Sequence, residues 1–294
     1  MVRMIVDSHS HLDLTLPGMI AHPERKREPL GFMWSYENMG FRDPLWGAEP
    51  PETIRILISA ENQIRLSMGC RQNLLSFMDR SGIDRSIVLP VEPFSSSSGY
   101  LGECAGEPRL IPFASSCPGD DWEGRLHRAM EAGCRGLKIH PILQRIPPED
   151  SFYFDLLEAY RKYGRPVITH TGAFDYYVTP DPCSEYGCTP RFESLIAAFP
   201  DVPFILGHSG LFHPEQAIEL ASRHESVYLE TSFQPLKVVR QMLGVAGRDR
   251  VMFGSDWPEA NQKHALRIAQ KVTDDDPELR DKLLGGNILA LVSP

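Results

Sequence analysis

The 294-residue sequence contains no charge-free apolar stretch of about 18 residues, the length a helix needs to cross a bilayer. Its opening, MVRMIVDSHSHLD, has no apolar run of the signal-peptide kind. Together these absences argue against membrane contact and set the expectation of a cytoplasmic protein. Basic residues are in the minority, 30 Lys and Arg against 39 Asp and Glu, for a formal net charge of −9. A nucleic-acid-binding chain normally carries a basic patch. The one short basic cluster, Arg25, Lys26 and Arg27, reads as a solvated loop. The six cysteines, at positions 70, 104, 117, 134, 183 and 188, are scattered, so reduced thiols are expected. Cys183 and Cys188 are close enough to clip a zinc ion, but no second pair exists to complete such a site. No GxGxxG follows the first β-rich run, which removes the main sequence mark of an open, dinucleotide-binding sheet.

What is present is a regular alternation. Hydrophobic residues make up 42% of the chain, enough for a large core. Short β-rich runs occur at residues 4–7, 86–90, 110–114, 136–139, 166–170, 203–207, 227–230 and 250–254. Most are continuously apolar, as parallel strands covered on both faces must be. Amphipathic segments lie between them. Ile64, Met68, Leu75 and Met78 keep a helical period and stop before Gly82. Trp122, Leu126 and Ala129 stop before Gly133, and Leu157 and Tyr160 stop before Gly164. Later helices are expected over residues 191–199, 214–223, 236–243, 261–272 and 277–284. Eight alternations in about 294 residues predict a (β/α)8 TIM barrel forming one domain over residues 1–294. Two long excursions, at about residues 12–60 and 171–190, leave from the C-terminal face, where barrel active sites sit, and are candidate lids.

The polar residues at the strand ends carry the chemistry. The first strand runs into Asp7-Ser8-His9-Ser10-His11. Alternate strand residues share a face, so His9 and His11 can chelate one ion. An HxH pair alone is weak support. It gains weight because His140, His170, His208 and Asp256 each stand at the end of another predicted strand, all aimed at one mouth.

At this point the chain resembles the amidohydrolase superfamily, in its amidohydrolase-related branch. That branch also holds aminocarboxymuconate semialdehyde decarboxylase-like enzymes. The resemblance spans essentially the whole chain and rests on DSHSH at 7–11, GLKIHP at 136–141, THTG at 169–172, LGHSG at 206–210, YLETS at 228–232, FGSDWP at 253–258 and GGN at 285–287. It implies that His9, His11, His170 and Asp256 are metal ligands and that His208 is an acid/base group, with a fifth ligand as its alternative role. It implies one divalent metal, zinc first, with manganese, iron or cobalt also suited to three histidines and an aspartate. In some superfamily members a carboxylated lysine bridges two metals. Lys138 stands on the corresponding strand, and the favoured reading leaves it uncarboxylated, anchoring an anionic substrate. His140 lines the pocket or is merely packed. Glu230 orients a ligand by hydrogen bonds or is a plain surface carboxylate. Trp257 walls the pocket or fills the barrel rim. Trp34 and Tyr36, in the first excursion, cover substrate or pack the loop down.

The expected activity is metal-dependent hydrolysis of a small amide, ester or lactone. An ion with an open position lowers the pKa of its water to about 7, and His208 and Asp256 move protons. The alternative is non-oxidative decarboxylation of an aromatic or unsaturated carboxylic acid at the same site. The chain is short beside the usual decarboxylases of the branch, which favours hydrolysis modestly. The implied partners are a small-molecule substrate and a second copy of the chain in a homodimer, with no nucleic acid and no membrane.

Overall fold

The computed structural model describes residues 4–14, 16, 65–66, 69–174 and 182–293. Most of the first excursion therefore lies outside the described residues, and with it Arg25, Lys26, Arg27, Trp34, Tyr36, Ile64 and Met68. Part of the second excursion lies outside them too.

The strands, all parallel, are β1 (Val6–Ser10), β2 (Arg85–Val88), β3 (Leu110–Pro112), β4 (Ala114–Ser115), β5 (Leu137–Ile139), β6 (Val167–His170), β7 (Phe204–Gly207), β8 (Val227–Glu230) and β9 (Val251–Met252). They pair in chain order, β1-β2-β3 and then β4 through β9. The eight expected strands are all present, and the ninth label arises because the third is split at Phe113. Pro112 has no N–H to offer a ladder. The Phe113 N–H still donates to the Val88 carbonyl at 3.1 Å, while the next N–H, of Ala114, donates to Gly136 at 2.8 Å. Successive N–H groups point to opposite neighbours, so the strand is held between β2 and β5, and Pro112 leaves the β5 side without one donor just before Ala114. The ring closes between the last and first strands through the Ser10–Trp257 bridge. The N–H groups of Ser8, Asp256 and His11 donate there to Phe253, His9 and Trp257 respectively. The fold is a (β/α)8 barrel.

Helices Arg71–Ser81, Trp122–Glu131, Ser151–Tyr160, Pro214–Arg223, Leu236–Ala246 and Gln262–Val272 cover the barrel. Gly82 and Gly164 end their segments with φ of 72° and 57°, the left-handed conformation that the sequence stops anticipated. The helix expected over 191–199 is a 3-10 turn, Thr189–Phe192, followed by Glu193–Ala198. The segment expected over 277–284 is Pro277–Asp281 followed by a π turn, Lys282–Gly286.

Three apolar clusters build the core. Val6, Ile87, Leu89, Ile111, Phe113, Ile168, Ile205 and Met252 come together from the strands, with Ile288 and Val292 of the last helix. A larger layer, including Leu126, Leu157 and Leu220, lies between strands and helices. A third cluster, including Leu14, Leu66, Val91, Ile142 and Phe212, gathers residues that follow the strands, at the C-terminal face. All six cysteines are free thiols. Among the described residues no helix is long and apolar enough to cross a membrane.

Candidate metal centre

The strand ends converge as the alternation requires. His9 lies within β1 and His11 just beyond it. His170 closes β6, and His208 follows β7. Their rings touch: His9 stacks on His208 at 4.7 Å between centroids, and His170 meets His208 edge-on at 4.8 Å. Asp256 Oδ1 lies 3.4 Å from His9 Nε2 and 3.3 Å from His11 Nε2.

Hydrogen bonds fix which nitrogen of each ring carries the lone pair. His11 Nδ1 lies 2.7 Å from the Leu89 carbonyl, an acceptor, so Nδ1 donates and Nε2 is left basic. His170 Nε2 lies 2.8 Å from the Gly172 carbonyl, which leaves Nδ1 basic. His9 Nδ1 lies 3.1 Å from Glu230 Oε2. Ser232 Oγ donates to that same Oε2 and so accepts from His208 Nδ1, at 2.7 Å in each bond. Glu230 is fully buried and therefore orients rings rather than facing solvent. Gly254 makes room for it, since a Cβ at that position would lie 2.3 Å from Glu230 Oε1.

Burial, followed by the nearby cationic groups, drives the imidazoles toward the neutral form. His9, His140 and His208 are held well below the ordinary value, and His170 is pushed down to about 3. Burial also pushes Lys138 down to about 8, against the attraction of Asp256, Glu230 and Glu259. Burial raises Glu230 to about 7, opposed by its bonds from His208 and Ser232.

These features leave basic atoms facing one another. Asp256 Oδ1 is buried without a hydrogen-bond donor among the described residues, which is costly unless a cation fills the gap. His9, His208 and Asp256 bring one ligand atom each within 4.8 Å of one another. A set of imidazole nitrogens and one carboxylate fits a borderline divalent ion. This grouping includes His208, which the sequence reserved first for proton transfer. His11 and His170 stand at its edge. The backbone is strained here: His208, Phe233 and Asp256 all have φ of 61° without being glycine, the kind of cost that clusters at working sites.

Lys138 is fully buried, with Nζ 3.4 Å from His9 Nε2. His140 lies flat on His170, 4.4 Å between centroids and 12° between planes, and its Nδ1 accepts from the Leu143 N–H. Trp257 packs against Phe77 in the layer between strands and helices, the packing alternative. No metal pair forms at Cys183 and Cys188 among the described residues; Cys183 Sγ instead lies 3.6 Å from Arg145 Nη1. Sequence reasoning missed Ser232, Ser255, Gln262 and the part played by Asp7. The first two lie inside the quoted motifs, YLETS and FGSDWP, but short hydroxyls give no sign of their partners before the chain is folded.

A family model described as Amidohydrolase matches residues 80–293. The comparison with curated proteins gives no match. Among solved structures, an uncharacterized TIM-barrel protein from Bordetella bronchiseptica is 17% identical with a TM-score of 0.69, over 99% of this chain and 100% of that one. The 2,6-dihydroxybenzoate decarboxylase from Rhizobium is 17% identical with a TM-score of 0.66, over 99% of each chain. The 5-carboxyvanillate decarboxylase from Novosphingobium aromaticivorans, solved with bound manganese, is 16% identical with a TM-score of 0.66, over 100% of this chain and 98% of that one. These likenesses show the barrel, and the family match, which covers more than half of the sequence, shows that the chain belongs to the amidohydrolase family in its amidohydrolase-related branch.

Proposed function

We propose that this protein is a metal-dependent hydrolase of a small amide, ester or lactone. The observation that carries the reading is Asp256 Oδ1, a buried carboxylate oxygen that no donor among the described residues reaches and that faces the Nε2 atoms of His9 and His11. His9, His11, His170 and Asp256 would hold the ion, zinc first, with manganese its main competitor. When bound, the ion polarises a carbonyl and makes water a nucleophile at neutral pH. Asp256 Oδ2 lies 3.8 Å from His208 Nδ1. A proton released from water would pass to Asp256 or to the basic Nε2 of His208, whose Nδ1–H is held by Ser232, and on to the leaving group. His208 is suited to that work because it is neutral and its Nδ1–H is anchored on Ser232. Lys138 brings a buried amine to the site and would pair with an anionic group on the substrate.

A second reading, decarboxylation of an aromatic or unsaturated acid, is favoured by two of the structures that share the fold, both decarboxylases by name. Their near-complete mutual coverage removes chain length as an argument against it.

Elemental analysis of the purified wild type and of His9→Ala, followed by a substrate panel, tests both readings. About one metal per chain, lost in the variant, together with metal-dependent hydrolysis, supports the first. Carbon dioxide release from a 2,6-dihydroxybenzoate-like acid supports the second. Two metals per chain would make Lys138 a bridging ligand. Absence of metal-dependent turnover across both panels sinks them together.

A further inference from the structure

We propose that Asp7 is a positioning residue that sets His9 against Asp256 across the seam where the barrel closes. The inference rests on the reading of His9 and Asp256 as metal ligands and goes beyond it, to what holds them in place.

Asp7 is completely buried, and five groups converge on its carboxylate. Oδ1 accepts from the N–H of His9 at 3.2 Å and from the N–H of Ser255 at 2.8 Å. Oδ2 accepts from Ser10 Oγ at 3.3 Å, Ser255 Oγ at 2.6 Å and Gln262 Nε2 at 2.9 Å. One side chain thus grips the backbone of a candidate ligand, His9, and both donors of the residue preceding another, Asp256.

The seam needs such a clamp. β9 ends at Met252, four residues short of Asp256. Three backbone bonds cross the seam, from the N–H groups of Ser8, Asp256 and His11 to Phe253, His9 and Trp257, and the one bridge they form, Ser10–Trp257, lies outside any regular ladder. Asp256 itself sits at φ 61°, a conformation a side chain resists and that persists only when neighbours over-determine it. Fixing Ser255 by two bonds from one side, while the Asp256 N–H is held from the other, supplies that constraint. Every partner of Asp7 is a donor, so an acceptor-only carboxylate fits, and an amide in its place would turn an NH2 group against donors.

The test is metal affinity, read by competition against a chromophoric chelator, together with the visible spectrum of the cobalt-substituted protein. Asp7→Asn should weaken metal binding about 10- to 100-fold, as losing a ligand-orienting partner does, and should alter the cobalt bands. Ser255→Ala should weaken binding several-fold. The double variant should be no worse than Asp7→Asn alone, because both act through one contact. Leu157→Ala, buried in the layer between strands and helices, is the control for simple loss of stability. At a matched fall in Tm it should leave affinity and spectrum unchanged. Wild-type affinity and bands in Asp7→Asn would overturn the proposal, and so would an equal loss in Leu157→Ala. If Asp7→Asn does not fold, Ser255→Ala decides: weakened binding supports the proposal and unchanged binding overturns it. Failure of the wild type to bind metal would be a different result, striking the ligand assignment itself.

Discussion

Glu230 Oε2 accepts a hydrogen bond from His9 Nδ1 across 3.1 Å, with both groups fully buried. The same oxygen accepts from the His208 N–H at 3.0 Å and from Ser232 Oγ at 2.7 Å. One atom therefore fixes the tautomer of His9 directly and that of His208 through a hydroxyl. Glu230→Gln keeps the volume but offers an NH2 group to donors. It should raise the metal dissociation constant about 10- to 100-fold while about one equivalent still binds at saturation. A competition titration of the two proteins checks this, and equal constants would remove Glu230 from the site's support.

Gly254 leads to a related expectation. A Cβ there would lie 2.3 Å from Glu230 Oε1 and 2.6 Å from its Cδ. A free side chain would swing aside, but Glu230 is pinned by its bonds to His9, His208 and Ser232. Gly254→Ala should therefore cost about 1–3 kcal/mol of stability by overpacking. It should also weaken metal binding in the direction of Glu230→Gln. Chemical denaturation and the same titration measure both, and a stability loss with unchanged affinity would show that Glu230 adapts.

This dependence on Glu230 marks the limit of what could be read before folding. The eight runs and the glycine stops were legible because apolar continuity and helical period are local signals. The strand-end histidines were legible because alternation and position in a barrel are enough to aim them. The split at Phe113 was not, since which neighbour loses the donor that Pro112 lacks is known only once β2 and β5 lie on either side of the strand. The roles of Asp7 and Ser255 were not legible either, because they join residues 248 positions apart. His11 and His170 were expected on the same footing as His9; in the fold one ligand atom each of His9, His208 and Asp256 lies within 4.8 Å of the others, and His11 Nε2 lies 3.3 Å from Asp256 Oδ1. Spacing shows which side chains share a mouth, but not which atoms meet within it.

The buried histidines should make stability sensitive to acid, and His140 isolates the effect. Burial, then the charges of His170 and Lys138, hold its ring well below 6.5 in the folded protein. The unfolded chain takes up that proton near 6.5 and so binds more protons as pH falls. The contribution is fully present above 6.5 and is lost below it, about 2 kcal/mol by pH 5 for one such histidine. Buried carboxylates raised by burial, such as Asp7 at about 6 and Glu230 at about 7, work in the opposite sense. The comparison should therefore be between wild type and His140→Phe, both free of metal. Urea midpoints at pH 7.5 and pH 5 should show the variant gaining about 2 kcal/mol on the wild type across that interval. A difference independent of pH would mean that His140 titrates normally in the fold.

Lys138 poses the sharpest choice, because its Nζ stands 3.4 Å from the Nε2 of His9, the nitrogen expected to face the ion. An ammonium there repels a divalent cation unless something negative answers it, and Asp256, Glu230 and Glu259 are the groups that attract it within the fold. A substrate carboxylate would be a further answer, which is why an anionic substrate suits the site. Lys138→Met keeps length and apolar bulk while removing the charge. If the amine anchors substrate, the variant should hold about one metal per chain and bind it no more weakly than the wild type. KM for an anionic substrate should then rise at least tenfold, about 1.4 kcal/mol, with a much smaller effect on a neutral analogue. If the lysine is instead carboxylated and bridges two ions, the metal content should fall from two to one and the charge of the substrate should make no difference. Elemental analysis beside the two KM values separates the cases, and an unchanged KM with unchanged metal content would leave Lys138 no role in either.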